Sequence, residues 1–372
     1  MALQKIVALP YDIWKEIVGL VEDRGDLVRL CLVNSLIAPI AGKRLYSSPV
    51  LNDIVNTAMF YRTSIGNPTL AEHVTTMKLE LDYIFWVGRN FLVGWQEVQA
   101  PAYLRLFFRL INQLVNLKEL NLRSRESQGR TMSQALSVNL SRMRPRLSSF
   151  PFIGLFQCSA RPVLRSQTSL ESVHLAYCAG NDYAPELVNL SPDTVPQLRR
   201  FICDSHSTCQ LVRGRPVEEF SLSDEGGYSY ISPKDLSSCL AHLQLSLRPL
   251  RKLQIGIYAL DSTTLVKIQG AMPHIIDLNI KTRAELEAQV RMSYLHLHAT
   301  DGMQLHQIRS SSALDAFHRF SQLRAFKFTS LVFNNLHAIE ISAAVDQIRL
   351  ACPSLKTVVI RQPEEEDVIF GF

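Results

Sequence analysis

Apolar residues recur along most of this chain in one spacing: a first anchor is followed three and five residues later by two more. Eight copies are clear and three are weaker. The clear copies begin at Val74, Leu117, Leu170, Val217, Leu250, Ile275, Leu323 and Leu355, and the weaker ones at Leu147, Leu198 and Met292. In so hydrophobic a chain about one window in ten matches by chance. The spacing therefore needs a second, independent signal.

Proline supplies that signal. In six of the eleven copies a proline lies one or two residues before the first anchor, where composition alone would give about one. These prolines are Pro145, Pro196, Pro216, Pro249, Pro273 and Pro353. Because proline ends a helix and favours extended backbone, each copy is predicted to begin a short strand. The first anchors lie 17 to 43 residues apart, which is typical of stacked strand–loop–helix repeats.

The segments between the copies show helical spacing. Residues from Pro101 to Leu114 predict a helix that begins at Pro101, and its apolar face comprises Leu104, Phe107, Phe108, Ile111 and Leu114. A second helix is predicted from Ala338 to Leu350, with Ile341, Val345 and Ile348 in register. The predicted fold class is therefore α/β: a solenoid with a curved parallel sheet on its inner side and helices outside.

The first fifty residues follow another pattern, which predicts three short helices. Pro10 begins the first, whose apolar positions are Ile13, Ile17, Leu20 and Val21. Gly25 and Asp26 end it, and Asp26 is predicted to cap a second helix with Leu27, Leu30 and Val33 on its apolar side. Pro39 allows only a third, offset helix, in which Ile40, Leu45 and Tyr46 turn inward.

This stretch resembles the F-box, a module of about forty residues. The resemblance is carried by the opening Leu9-Pro10, the Asp26-Leu27 start of the second helix and the closing Val33. The run from Arg44 to Leu51 is similar to the end of the box in fungal members, whereas Asn34–Ile37 stands where the family often has a basic-aromatic cluster. Residues from about 70 to 362 resemble the irregular leucine-rich repeats of F-box proteins.

The resemblance implies four segments: an F-box-like module at 1–51, a helical junction at 52–73, a repeat solenoid at 74–362 and an acidic tail at 363–372. It also implies a substrate-recognition subunit of a ubiquitin ligase, in which the box binds a Skp-type adaptor, and through it a cullin, while the repeats hold a protein target. The implied adaptor contacts are Leu9, Pro10, Ile13, Ile17, Leu27, Leu30 and Val33. The alternative is a non-ligase repeat scaffold in which the helical module only caps one end.

Target contacts are expected on the inner side of the sheet, where residues that flank the third anchor turn away from the core. The candidates are Lys78, Arg123, His174, Asp204, Lys281, His296, His298, Lys327 and Arg361. The flanking residues include five basic and two acidic side chains, so the face is predicted either to be weakly basic and suited to an acidic partner or to be an ordinary mixed surface. The aromatic segment from Tyr83 to Ala100 is interpreted as either a projecting binding loop or core at the junction.

Composition narrows the function classes. The 372 residues are 47% hydrophobic and 20% charged, which is typical of a globular protein, and a net charge of +5 without a basic-aromatic block does not indicate a nucleic-acid partner. Seven scattered cysteines favour a reducing compartment, the cytoplasm or the nucleus. No apolar run is long enough to predict a membrane span.

Candidate chemistry is sparse. The sequence has no Gly-x-Ser-x-Gly, phosphate-binding glycine loop or His-Glu-x-x-His motif. His296 and His298 lack the further ligands of a zinc site, and Cys203 and Cys209, which flank His206, lack a partner pair. We therefore expect a non-catalytic protein without metal or cofactor.

Overall fold

The computed structural model of this chain describes residues 9–80, 94–123, 136–153, 160–176, 190–222, 230–258, 260–282, 311–330, 338–361 and 368–371. The chain divides into two compact units, Met1–Gln167 and Thr168–Phe372. Each unit contains parallel strands separated by helices, which confirms the predicted α/β fold class. Among the described helices, none combines the length and the apolar character needed to cross a bilayer.

The first unit begins with three short helices and continues into parallel strands. In chain order its elements are α1 (Tyr11–Gly19), α2 (Arg24–Cys31), α3 (Ala38–Ser47), β1 (Val50–Leu51), α4 (Ile54–Gly66), α5 (Pro68–Glu72), β2 (Thr76–Glu80), α6 (Gly94–Gln113), β3 (Glu119–Arg123), β4 (Ser149–Ile153) and α7 (Arg161–Ser166). Strands β1 to β4 are neighbours in that order. Lys78 of β2 lies opposite Val50 of β1 on one side and Asn121 of β3 on the other.

The helices α1 to α3 enclose a small core of their own. Its buried members are Val18, Leu27, Ile37, Ile40 and Ala41. The cap of α2 differs from the prediction: Asp23 accepts a 2.9 Å hydrogen bond from the Asp26 amide, so Asp26 lies in the first turn instead of capping it. Leu20 lies just after α1, which ends at Gly19, and is 81% exposed.

The second unit repeats one strand and one helix several times. In chain order its elements are β5 (Ser172–Ala176), β6 (Arg200–Cys203), a 3-10 helix (His206–Val212), β7 (Glu219–Leu222), β8 (Tyr230–Ile231), α8 (Pro233–Leu243), β9 (Lys252–Ile257), α9 (Ser262–Ala271), β10 (Asp277–Thr282), α10 (Ser311–Arg319), β11 (Ala325–Ser330), α11 (Ala338–Ala351), β12 (Thr357–Arg361) and β13 (Val368–Gly371). Neighbouring strands pair in parallel from β5 to β12, and the short β8 pairs beside the end of β9.

The apolar anchors form the cores of both units, as the spacing predicts. Each second and third anchor on a described strand is buried; in the second unit the second anchors form one ladder. That ladder consists of Val173, Phe201, Phe220, Leu253, Leu278, Phe326 and Val358. The repeat prediction is therefore confirmed, including the weaker copies at Leu147 and Leu198, while the copy at Met292 lies outside the described residues.

The predicted helices are present with one change of boundary. α11 runs from Ala338 to Ala351 and buries Ile341, Val345 and Ile348. α6 buries the predicted apolar face but begins at Gly94, so the helix continues through Pro101 instead of starting there. A proline removes only one amide donor from a helix, and the following turns bury a complete apolar stripe that stabilises it.

Two short strands lie at the ends of predicted segments. Val50 and Leu51 form β1 and pair with β2, so the sheet already begins inside the stretch assigned to the helical module. Val368–Gly371 form β13 and pair antiparallel with β12, so this part of the chain is not a solvated tail. Residues 83–93 of the aromatic segment and residues 363–367 of the acidic tail lie outside the described residues.

A buried arginine fixes one turn of the second unit. Arg215 is 1% exposed, and its guanidinium donates to the carbonyl oxygens of Thr194 at 2.7 Å, Ser191 at 2.6 Å and Leu211 at 2.5 Å. Burial lowers the pKa of Arg215 to about 10, so it stays charged at neutral pH. The turn it holds contains Val195 at a φ of +57°, an unfavourable conformation for a β-branched residue.

Candidate functional site

Two surfaces contain the sequence-predicted contacts: the exposed apolar residues of α1 and α2, and the outward side chains of the strands. The first is unusual because a module of about forty residues leaves so many apolar side chains in water. On α1, Ile13, Ile17 and Leu20 follow one helical stripe, and Val28 and Leu32 follow another along α2. These two sets are named the module stripes below.

The implied adaptor contacts divide by exposure. Leu9, Pro10, Ile13, Ile17 and Val33 are exposed. Leu30 is half-buried and packs against the core of the module. Leu27 is only 4% exposed, so the expectation that it touches a partner is corrected: it supports the stripes from beneath. Its burial follows from the start of α2 at Arg24, which turns Leu27 toward Val18 and Ile40.

Sequence reasoning missed the most exposed members of the stripes. Leu20 and Leu32 are 81% and 83% exposed, because each lies just beyond the end of its helix. Val28 is also exposed, since it lies one position after the buried Leu27 on a short helix. Counting three to four residues along α2 from Leu32 to Val28 would have identified this second stripe.

The segment Asn34–Ile37, where the sequence departs from the F-box pattern, forms local hydrogen bonds. The Asn34 side-chain oxygen accepts hydrogen bonds from the amides of Leu36 at 2.9 Å and Ile37 at 2.8 Å. This turn brings Ile37 into the core of the module, where it is 1% exposed. Asn34–Ile37 therefore connect α2 to α3 by a local polar turn, with Leu36 remaining on the surface.

The second surface consists of the outward side chains of the strands in the second unit. Parallel register places residues in transverse rows, because equivalent positions of successive strands lie side by side. One row contains His174, Ile202, Ser221, Gln254, Asn279, Lys327 and Val359. In the next row Lys281 lies opposite Thr329, which in turn lies opposite Arg361. Asp204 follows β6 directly, and its amide donates to the Leu175 carbonyl at 3.2 Å.

A third row, which sequence reasoning missed, alternates in charge. Arg200, Glu219, Lys252 and Asp277 lie side by side on β6, β7, β9 and β10. Glu219 forms ion pairs with Arg200 at 3.7 Å and Lys252 at 3.2 Å. Burial raises the pKa of Asp277, while Lys252 partly offsets the rise. This alternating row was identifiable from the sequence, because the position before each second anchor lies on the same side of its strand.

The alternating row changes the expected charge of the strand surface. On the described strands of the second unit, the side chains of Arg200, Lys252, Lys281 and Lys327 are opposed by Asp204, Glu219 and Asp277. In the first unit Lys78 forms a 2.7 Å ion pair with Glu80. The weakly basic alternative counted only part of each strand, and the full rows favour the other alternative, a surface of mixed sign. His296 and His298 lie outside the described residues.

Three thiols meet inside the second unit. Cys209 and Cys239 have their sulfur atoms 2.7 Å apart, and Cys203 lies beside Cys209. Burial, together with both neighbouring thiols, raises the pKa of Cys209 well above its ordinary value, so it is not an activated nucleophile. Cys239 of α8 is the contact that the sequence did not reveal. The described residues contain no group of three or more ligands arranged to hold a metal ion.

Comparisons with known proteins identify structural likenesses only. No family model matches the chain, and no curated protein matches it. The leucine-rich repeat-containing protein LegL7 from Legionella pneumophila is 12% identical, with a TM-score of 0.47 over 86% of this chain and 92% of that chain. A chain from the complex of Rad7 and Elc1 in yeast is 11% identical, with a TM-score of 0.44 over 94% of this chain and 85% of that chain. The function of this chain has to be inferred from its own residues.

Proposed function

We propose that this protein is a substrate-recognition subunit of a ubiquitin ligase of the Skp-adaptor, cullin and F-box type. In this proposal the module stripes bind the adaptor and the strand surface holds a protein target. The protein itself makes and breaks no bonds; it brings a target lysine close to a ubiquitin-conjugating enzyme, so its contribution is proximity. It would act in the cytoplasm or the nucleus.

The exposure of the module stripes carries the proposal. Five apolar residues form the buried core of the module, whereas Ile13, Ile17, Leu20, Val28 and Leu32 remain in contact with water. Burying such side chains against a partner is worth about 25 cal/mol for each Å² of apolar surface removed from water. A protein–protein interface needs an apolar centre of this kind, and the order of signals from Leu9 to Val33 resembles the F-box.

The strand surface supports the target-binding part of the proposal. Its rows are polar, and Arg200, Glu219 and Lys252 are already paired with one another. On such a surface, matching charges on the partner mainly provide specificity. They contribute less to affinity. We therefore propose that a target of mixed charge is read along the rows that contain Asn279, Lys281 and Lys327.

A co-purification experiment with a Skp-type adaptor tests the adaptor-binding part. The variant Ile13→Asp with Ile17→Asp places two charges on the α1 stripe, and we expect it to lose the adaptor while its melting temperature stays within about 3 °C of the wild type, because both residues are exposed. The matched control is Val55→Asp with Met59→Asp, which charges two exposed apolar residues of α4.

The outcomes of that experiment are distinct. The proposal is supported if the α4 control variant still captures the adaptor and the α1 variant does not. The proposal is wrong if both variants capture the adaptor equally well, or if the wild type captures none.

The rival function is a repeat scaffold in which the helical module only caps the sheet. Direct contacts between the module and the first strands favour it: the Ser47 carbonyl accepts from the Thr75 amide at 3.0 Å, and the Pro49 carbonyl accepts from the Lys78 amide at 3.0 Å. A terminal repeat needs such cover. The two functions differ in the adaptor experiment, because a cap has no need of the exposed Ile13 and Ile17.

A further inference from the structure

A cleft in the first unit is lined by arginine side chains and has no part in the function proposed above. Its volume is about 620 Å³, which lies in the range of small-molecule sites. Arg105 and Arg109 of α6 lie one helical turn apart on its wall, and Arg144 lines it from the segment before β4. Three arginine residues therefore line one cleft.

Ion pairing within the described residues does not neutralise this charge. The lining residues include three arginines and no aspartate or glutamate, while Asp53, Glu72 and Glu119 lie elsewhere on the segments that form the walls. Among the described residues, Arg105, Arg109 and Arg144 have no ion-pair partner. Like charges that line the same cleft repel one another, so an anion between them would be favoured.

The walls of the cleft are held in place by buried contacts. The hydroxyl groups of Thr57 on α4 and Tyr103 on α6 lie 3.3 Å apart inside the unit. The Asn112 side-chain oxygen accepts a 2.9 Å hydrogen bond from the Arg144 amide, which fixes the third arginine beside α6. These contacts hold the backbone of the walls in place, and the side chains of Arg105, Arg109 and Arg144 extend from it into solvent.

The remaining lining is suited to a ligand that carries more than bare charge. Leu104 and Phe108 are buried and give the cleft an apolar part, while the side-chain amide of Gln113 adds a polar group to the lining. Arginine binds phosphate oxygens through two parallel N–H groups, and it does so better than lysine. One phosphate monoester carries a charge of about −1.5 to −2, which leaves part of three guanidinium charges unmatched.

We propose that this cleft binds a small molecule that carries at least two phosphate groups. The phosphates would lie between Arg105, Arg109 and Arg144, and the organic part would contact Leu104 and Phe108. The proposal rests on the first unit alone and does not depend on adaptor binding by the module stripes.

Calorimetric titration of the full chain with sodium pyrophosphate at physiological ionic strength tests the proposal. We expect wild-type binding to be at least about tenfold tighter than for the double variant Arg105→Gln with Arg109→Gln, because the variant removes two charge-assisted hydrogen-bond donors from the cleft. Arg144→Gln should weaken binding as well, because Arg144 lines the same cleft from a segment outside α6 and adds a third positive charge.

The matched control is Arg142→Gln with Arg146→Gln, which removes two exposed positive charges on either side of Arg144 but none from the cleft lining. The control should change pyrophosphate affinity by less than about threefold, since separated surface charges are screened by salt. Orthophosphate serves as the second probe and should bind more weakly than pyrophosphate.

Three results would overturn the proposal. The first is the absence of detectable binding at pyrophosphate concentrations up to about 1 mM. The second is an equal loss in the cleft variant and the control variant, which would indicate general attraction to a basic surface. The third is equal binding of orthophosphate and pyrophosphate.

Discussion

The helical module and the repeats treat the same type of residue in opposite ways. Leu32 of the module is 83% exposed, whereas Leu253, a second anchor on β9, is 1% exposed. A strand inside the sheet has a neighbour on each side and a helix across one face, so its inward side chains are fully enclosed. A short helix in a group of three has too few neighbours to cover all its apolar positions. Burial therefore follows the number of packing partners and not the residue type alone.

The largest expected effect comes from making the same truncation in both regions. Leu253→Ala should lower the free energy of unfolding by about 2–5 kcal/mol, because it empties a fully packed site. Leu32→Ala should lower it by less than about 0.5 kcal/mol, because the side chain already lies in water. Urea unfolding of the two variants measures the difference directly. Similar losses in both would show that Leu32 is enclosed and that the contrast between the regions is mistaken.

A second, smaller effect tests whether polar contacts stabilise the repeats as the apolar anchors do. Arg215→Met should lower the free energy of unfolding by about 2–3 kcal/mol, because the carbonyls of Thr194, Ser191 and Leu211 lose a charged donor inside the unit. The control is Arg213→Met, a short distance away on the exposed surface, which should change stability by less than about 0.5 kcal/mol. If Arg215→Met lowers the free energy of unfolding no more than the control does, the turn is stable without the Arg215 side chain.

The smallest expected effect concerns an ion pair at the border of the repeat core. A hydrogen bond from the Arg248 guanidinium lowers the pKa of Glu218, against a smaller opposing effect of burial. The resulting stabilisation is present above the ordinary glutamate pKa and is lost as the pH falls through the lowered folded-state pKa. Glu218→Gln should therefore cost up to about 1 kcal/mol at neutral pH and almost nothing at an acidic pH below the lowered folded-state pKa.

Urea unfolding of wild type and Glu218→Gln at both pH values provides the measurement. A difference that persists at the lower pH would assign the effect to packing of the side chain instead of its charge. No equivalent ion pair bridges the described helices of the module, where Arg29 pairs with Asp26 of the same helix.

Local spacing was sufficient to predict the repeat cores. The three-and-five spacing places the last two anchors on one side of a strand, so Phe326 and Phe328 could be assigned to the core without knowing their neighbours. The same reasoning found the buried face of α11. These features depend only on residues within a few positions of one another.

Features that depend on distant partners were not predictable in this way. β1 is a strand only because β2 lies beside it, and β13 pairs with β12 after a reversal of chain direction. From the sequence alone, an arginine such as Arg215 is expected on the surface. Its burial depends on partners such as the carbonyl of Ser191, 24 positions earlier, which accepts a hydrogen bond from it. The burial of the site residue Leu27 likewise depends on distant partners, because Val18 of α1 and Ile40 of α3 cover it.

The alternating row of Arg200, Glu219, Lys252 and Asp277 has a consequence for how such a chain can evolve. Loss of the single repeat that contains Glu219 would place Arg200 beside Lys252, and loss of the one that contains Lys252 would place Glu219 beside Asp277. Loss of both together would bring Arg200 next to Asp277, an attractive pair. Like charges directly opposite are destabilising, by roughly 0.2–1 kcal/mol for each pair. Deletions in this region are therefore better tolerated in pairs of repeats than singly.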